Sequence, residues 1–371
     1  MATVLIPTIK RDIHAAAVAI VLEEMGHHPL RWFCGDLPEA ATASFTIGAR
    51  GEGLAIWEAS GLPVDVSAVD VFWNRRPGDP VVKGPQALPC DRQVAFDEMK
   101  RFLRGMLATL SDRAFAVNDH AAARAASKVH QLHVAKQVGF AIPETLISND
   151  PDRIKAFLHE HEEAGAIFKG FKTVIWASRT HSASLYTHRV NQDMLPIDPM
   201  LQLSPGIFQA YVPKAFEVRV TCMGGEVFAA KIDSQQTATG VVDWRLQDPL
   251  ALPTTAMDLP EPVAARCLAV LERLGLVFGC FDLIVTPAGE YVFVEVNQMG
   301  QFLWLEELVP ELPLLQAFCE FLVSRDPHFR YDRGKPRRFG FPEVTRPALE
   351  MLERDMVSHV EPVEHRQIVH E

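Results

Sequence analysis

The stretch FDLIVTPAGEYVFVEVNQMGQ (281–301) reads as two apolar strand-like runs around a Pro-Ala-Gly-Glu turn, interrupted by Asp282, Glu295 and Asn297. If Ala288 and Gly289 form a two-residue turn, Pro287 faces Glu290. Counting outward then sets Asp282 opposite Glu295, with Asn297 on the face of Glu295. A longer loop would shift this pairing by one residue. Directly opposed like charges destabilise an antiparallel pair, and burial makes that worse. A divalent cation would turn the repulsion into attraction. Two carboxylates and a carboxamide are the oxygen donors that Mg²⁺ takes between a protein and substrate phosphates. The competing reading leaves Asp282 and Glu295 at frayed, hydrated strand ends.

Other polar residues set into apolar runs bear on that choice. Lys169 lies in AIFKGF, and Glu217 and Arg219 occupy alternate positions of FEVRV, hence one face. Lys231 follows FAA and Arg245 follows VDW. Cations for phosphate charge, carboxylates for metal and an acid for ribose hydroxyls are the inventory of a magnesium-nucleotide site. Singly, each has a plainer explanation. Lys231 could snorkel at a strand end, Arg219 could pair with a nearby carboxylate, and Asp243 could orient Arg245. His120, His130, His133, His181 and His188 read as exposed edge histidines. Arg75 and Arg76, in WNRRP, read as a solvated basic pair beside a loop.

The elements that must carry these residues give an α/β chain with α+β character. TVLIP (3–7) reads as a buried strand and residues 12–25 as the helix after it, capped by Asp12 and stopped by Gly26. The link between them, PTIKRD, has no glycine fingerprint, so a Rossmann nucleotide loop is not expected there. Gly51-Glu52-Gly53 is too little for a phosphate loop. A strand ends at WNRRP, and helices are expected at about 92–110 and, as one continuous helix, over 120–139. A further helix is capped near Asn149 or Asp150, and strands follow at 165–171 and 176–190. Residues 207–246 are β-rich, with Met223-Gly224-Gly225-Glu226 as a hairpin turn. A helix over 261–274, stopped by Gly275, precedes the opening hairpin, and one amphipathic helix is expected over 305–324. The charged tail has room for a helix at about 345–358.

Composition narrows the classes. At 371 residues the chain exceeds one ordinary core. A hydrophobic content of 48% with 22% charged residues is that of a globular protein, and the net charge of −11 argues against coating nucleic acid or an anionic membrane. Six cysteines, Cys34, Cys90, Cys222, Cys267, Cys280 and Cys319, are scattered without a Cys-x-x-Cys pair, the usage of a reduced, cytoplasmic chain without structural zinc. No stretch is apolar enough for a membrane span, and the N-terminal apolar run is too short for a signal peptide.

In order and spacing, the motifs from about 118 to 307 resemble the ATP-grasp superfamily of carboxylate–amine ligases. Lys128 on a helix comes first, then Lys169, the linker strand IFQAYV, Glu217-x-Arg219, and finally Asp282 with Glu295-x-Asn297. WNRRP, SKVHQLHVAKQVGFAIPETLISNDP, FQAYVPKAFEVRV, KIDSQ, DWR and EVNQMGQFLWLEE narrow the resemblance to the microviridin-type, or graspetide, peptide macrocyclases, as far as about residue 325. The family usually has Asn-Pro-Asn-Gly where this chain has Asn297-Gln298-Met299-Gly300.

The resemblance implies an N-terminal pre-ATP-grasp domain (1–115), a central (116–206) and a C-terminal (207–325) ATP-grasp subdomain clamping the nucleotide, and a tail (326–371) without an assigned role. It implies ATP and Mg²⁺ as cofactors. Lys128 and Lys169 would face phosphates, with Lys231 also on the nucleotide. Gln209, Tyr211 and Val212 would lie along the adenine, and Glu217 at the ribose. Asp282, Glu295 and Asn297 would hold one or two Mg²⁺, while Arg219 and Arg245 would offset charge on the transferring phosphoryl group. The implied partner is a precursor peptide, a leader followed by a core with Asp/Glu and Ser/Thr/Lys side chains. Nucleic acid and membrane are not expected, and a homodimer is one option for assembly. Two alternatives stay open: a ligase that adds amino acids to a protein or small peptide, and a non-catalytic nucleotide- or peptide-binding protein on the same scaffold.

Overall fold

Four residues after the first strand, Asp12 starts the first helix, its carboxylate accepting from the Ala15 N–H as an N-cap. This β–α step opens a computed structural model that describes residues 1–49, 51–57, 63–65, 68–84, 87–171, 175–177, 182–184, 187–236 and 252–361. The N-terminal part comprises β1 (Thr3–Thr8), α1 (Ile13–Glu24), β2 (His28–Phe33), β3 (Thr42–Gly48), β4 (Gly51–Trp57), β5 (Pro63–Asp65), β6 (Val71–Trp73), α2 (Pro89–Arg113) and β7 (Phe115–Val117). Its main sheet is parallel, in the order β2-β1-β6-β7, and β3-β4-β5 form a separate antiparallel sheet.

The helix expected over 120–139 is two, α3 (His120–Ala125) and α4 (Lys128–Gln137). Ser127 caps α4 through the His130 N–H. The Ala126 carbonyl between them accepts from the side-chain amides of Gln131 at 2.8 Å and Gln298 at 3.3 Å. A distant loop thus holds the break, and local periodicity cannot show that.

The central part contains β8 (Thr145–Ser148), α5 (Pro151–Glu160), β9 (Ala166–Lys169), β10 (Ile175–Ala177), β11 (Ser182–Ser184), β12 (His188–Val190), α6 (Asp198–Gln202) and β13 (Gly206–Ala210). Its antiparallel sheet runs β12-β9-β13-β8. Ile154, Phe157 and Leu158 of α5 cover one face, against Ala166, Val190 and Phe208.

The C-terminal part has β14 (Phe216–Met223), β15 (Glu226–Ile232), β16 (Thr254–Met257), α7 (Glu261–Leu274), β17 (Phe278–Val285), β18 (Tyr291–Asn297), α8 (Leu303–Leu308), α9 (Leu314–Ser324) and α10 (Phe341–Ser358). The sheet order is β16-β15-β14-β17-β18, antiparallel throughout. The face carrying Val218, Val220 and Cys222 packs on α7 and α4. α7 ends at Gly275 as expected, in the left-handed region that glycine favours. The single helix expected over 305–324 is interrupted between α8 and α9, where Pro310 and Pro313 cannot continue a helical ladder. Among the described residues, no helix is long and apolar enough to cross a membrane.

The tail returns to the N-terminal sheet. α10 packs along α1, and Asp355 pairs bidentately with Arg31 of β2. Glu306 of α8, fully buried, accepts from the backbone N–H groups of Leu315 and Phe341 and pairs with Arg337 at 2.9 Å. Burial pushes its carboxyl up to about 7, against the pull of those donors. The folded state therefore holds more protons than the unfolded chain between about pH 4.5 and 7, and this group's contribution falls as pH rises through that window. Glu306→Gln should remove that slope. The stability difference between wild type and variant is expected to change by roughly 3 kcal/mol across the window, read by denaturant titration at several pH values. Parallel curves would contradict the assignment.

Candidate active site

The hairpin reaches the expected pairing by an unexpected route. Residues 286–290 form the loop, closed by Thr286 N–H to Glu290 O at 3.0 Å and Gly289 N–H to Thr286 O at 2.8 Å. The two-residue turn is therefore absent, and Val285 pairs with Tyr291. A β-bulge then shifts the register back by one: Leu283 pairs with Phe293, but Asp282 pairs with Glu295. Asn297 follows on the same face, its Nδ2 3.4 Å from Asp282 Oδ2.

Across the next strand pair, Arg219 stands directly opposite Asp282. Its guanidinium Nη1 lies 2.6 Å from Asp282 Oδ1, and Nη2 donates to the Gln301 carbonyl at 3.1 Å. Burial pulls the Arg219 pKa down, but Asp282 outweighs it and leaves the pKa raised. Lys128, at the start of α4, closes the row from above: Nζ lies 3.2 Å from Glu295 Oε2 and 3.4 Å from the Gly170 carbonyl. The opposed carboxylates are thus each matched by a cation of the protein itself. Charge repulsion alone does not call for a metal here, which corrects the inference from the sequence. The donor chemistry still fits one, because Asp282, Glu295 and Asn297 bring oxygen-bearing side chains together on adjacent strands.

Glu217 shares the Arg219 face and is buried. Its Oε1 accepts from Lys214 Nζ at 2.6 Å and Ser234 Oγ at 3.0 Å. Burial raises its carboxyl pKa, and Lys214 opposes the rise. Lys214 and Ser234 were not singled out from the sequence, although Lys214 lies three residues before Glu217. Lys231 is set apart from this group. Its register partner is Val218, on the opposite face, and its ammonium lies over Phe216 and 2.8 Å from Asp233. The cation on the strand was legible, but not the face it occupies.

On the central sheet, Lys169 and Gln209 point away from α5, and both are buried. Gln209 Nε2 donates to Thr145 Oγ1 at 2.9 Å. Tyr211 N–H bonds the Gly165 carbonyl, its ring lies 3.7 Å from the Arg189 guanidinium, and half-buried Val212 follows. Arg245, Asp243 and His181 fall outside the described residues. His130, His133 and His188 are exposed as expected, whereas His120 is buried under the start of α3.

The loop after the hairpin is clamped by residues the sequence left unassigned. Arg75, only 1% exposed, pairs with Asp12 at 3.0 Å and donates to the carbonyls of Met299 and Gly300. It is not the solvated side chain expected. Asn118 donates to the Phe278 and Gln298 carbonyls at 2.9 and 2.8 Å. His14 Nε2 accepts from the Phe302 and Leu303 N–H groups, so it is unprotonated there; burial and neighbouring Arg75 hold its pKa well below the usual value. Gly300 takes φ of +62° with the Phe278 ring where a Cβ would stand, so only glycine fits.

Lys128 at the start of α4 and Lys169 on the central antiparallel sheet, with an acid-x-Arg, Asp, Glu-x-Asn set on the C-terminal antiparallel sheet, define an ATP-grasp ligase. No protein-family model and no curated protein matches the sequence. Solved structures do. The macrocyclase MdnC of Microcystis aeruginosa, bound with its precursor peptide MdnA, is 30% identical with a TM-score of 0.76, over 87% of this chain and 99% of that one. A RiPP-associated (ribosomal-peptide-modifying) ATP-grasp ligase of Chryseobacterium gregarium, in complex with ADP and a leader and core peptide, is 25% identical with a TM-score of 0.78, over 91% and 100%. Macrocyclase MdnB of Microcystis aeruginosa is 29% identical with a TM-score of 0.72, over 87% and 99%. The chain belongs to this family of RiPP-associated ATP-grasp ligases.

Proposed function

We propose that this enzyme uses ATP and Mg²⁺ to join Asp or Glu side chains of a ribosomally made precursor peptide to its Ser, Thr or Lys side chains, closing ester or amide rings. The observation that carries the reading is similarity to MdnC, at 30% identity over 87% of this chain and 99% of that one, with Lys128, Arg219, Asp282, Glu295 and Asn297 gathered in one row. In this reading the units are those expected at 1–115, 116–206 and 207–325, with the first two boundaries moved to about 117 and 210, because β7 (Phe115–Val117) and β13 (Gly206–Ala210) pair into the sheets before them; the tail from 326 is an addition that braces α1. A cytoplasmic location, where ATP is supplied and the cysteines stay reduced, is part of the proposal.

Lys128 and Lys169 would face the phosphates, Glu217 the ribose, and Gln209, Tyr211 and Val212 the adenine. Asp282, Glu295 and Asn297 would hold Mg²⁺, which when bound neutralises phosphate charge. A substrate carboxylate attacks the γ-phosphorus and displaces ADP. A hydroxyl or amine of the same peptide then attacks the acyl carbon, loses its proton and expels phosphate. Arg219 would offset charge in both steps, a role worth about 3–4 kcal/mol for one such donor. Arg245 is assigned the same role from the sequence.

An apolar row on the central part supports a peptide partner. Met194, Ile197, Met200 and Leu203 are 58%, 71%, 55% and 77% exposed at a spacing of three residues around α6. A leader with a helical apolar face would find a complement there. Met200→Asp with Leu203→Asp should raise the peptide KM about tenfold or more while leaving ADP affinity unchanged, since desolvated apolar anchors carry such contacts; an unchanged KM would remove the row from the binding surface. The function as a whole is tested by ADP release. It should require Mg²⁺ and rise on addition of the precursor peptide, whereas release stimulated by free amino acids would support the amino-acid-adding alternative.

A further inference from the structure

In an open parallel sheet, ligands bind outside the carboxyl ends of the strands, where the strand order reverses. The order β2-β1-β6-β7 reverses between β1 and β6. The segments leaving those strands are residues 8–12 and 74–76, and they carry Asp12, Arg75 and Arg76. The two arginines differ sharply. Arg75 is saturated by Asp12 and by two carbonyls of the loop after β18. Arg76 donates its backbone N–H to the Pro7 carbonyl at 2.9 Å, which fixes its Cα against the end of β1. Its guanidinium is half-buried, yet among the described residues it has no hydrogen bond or ion pair. Burying a cation without a partner costs free energy. With Arg75 already matched by Asp12, Arg76 is the cation at this switch point left open to an anion among the described residues.

The crevice adjoins the active site. His14, one turn into α1, binds the backbone of Phe302 and Leu303, and the preceding Gln301 carbonyl is held by Arg219. His14 lies within electrostatic reach of Arg75, Arg76 and Arg219 together. The lysines facing the nucleotide, Lys128 and Lys169, come from other elements. Arg76 is thus an arginine at the same seam that is not among the residues assigned to the nucleotide. Its planar fork suits a carboxylate held by two parallel hydrogen bonds, which a lysine does not reproduce.

We propose that Arg76 binds an acidic side chain of the precursor's core segment, so that the N-terminal sheet selects the carboxylate presented to the ligase site. This rests on the peptide-ligase reading above. The test compares wild type, Arg76→Ala and Arg76→Lys on a precursor peptide, alongside core variants with single Asp→Asn or Glu→Gln changes. Arg76→Ala should raise the peptide KM about 10- to 100-fold, the loss of a charged hydrogen-bond pair, and Arg76→Lys should recover part of it. ADP affinity and melting temperature should not fall, because the Arg76 side chain makes no hydrogen bond or ion pair among the described residues and its backbone bond to Pro7 survives the change. One acidic residue of the core should be sensitive to neutralisation with wild type but not with Arg76→Ala. An unchanged peptide KM, or a loss confined to ADP affinity, would overturn the proposal. If wild type closes no ring in any peptide, the functional reading itself fails and this inference falls with it.

Discussion

Asp282→Ala is expected to do two things at once: reduce ADP release by at least about 100-fold, the scale of removing one charge-stabilising group, and lower stability. The second effect follows from Arg219, which is 5% exposed and ion-paired to Asp282 at 2.6 Å. Leaving one partner of a buried pair uncompensated costs about 3–5 kcal/mol. Glu295→Ala should cost the same activity but less stability, because its partner Lys128 is 29% exposed, against 5% for Arg219, and can turn to water. Melting curves and ADP release on the two variants separate the effects. Equal losses of stability would mean that Lys128 is as dependent on its partner as Arg219.

Arg75→Ala should be among the most damaging single changes. It strands the Asp12 carboxylate, 1% exposed, and releases the Met299 and Gly300 carbonyls. An uncompensated buried charge again sets the scale at about 3–5 kcal/mol. The loop it holds follows directly from Glu295 and Asn297, so the peptide KM, the nucleotide affinity and the melting temperature should all change together. Arg76→Ala, one residue along, should not lower the melting temperature. A mild Arg75→Ala phenotype would mean that the remaining Asn118 and His14 contacts suffice to hold the loop.

The contrast between these neighbours shows where sequence reasoning stops. Nothing in WNRRP says that one arginine is buried and saturated, because its partner Asp12 lies 63 residues earlier and its other acceptors are carbonyls beyond residue 298. Elements with strong local signals were legible: α1 with its Asp12 cap, α7 with its Gly275 stop, and the Met223–Glu226 turn. Elements interrupted from outside were not. The break between α3 and α4 depends on Gln298, and although a helix was expected in the tail at about 345–358, its place in the fold depends on distant partners, α1, Arg31 and Glu306. In the hairpin, the turn count missed a longer loop and a bulge that offset one another, so Asp282 met Glu295 as expected for a different reason. The deeper miss was electrostatic. Strand alternation predicted two facing carboxylates, and a carboxylate partner for Arg219 was one reading of the sequence, but nothing local showed that Lys128 of α4 meets Glu295.

The measurement that bears most directly on the central claim is mass spectrometry of a Ser/Thr/Lys- and Asp/Glu-rich precursor peptide after incubation with the enzyme, ATP and Mg²⁺, with ADP counted in the same samples. Each bond closed should remove about 18 Da, one water, and release one ADP, as a phosphoryl-transfer route requires. Mass gains accompanied by ADP would instead mark addition of a second molecule, and an unmodified peptide without ADP release would contradict the assignment as a macrocyclase.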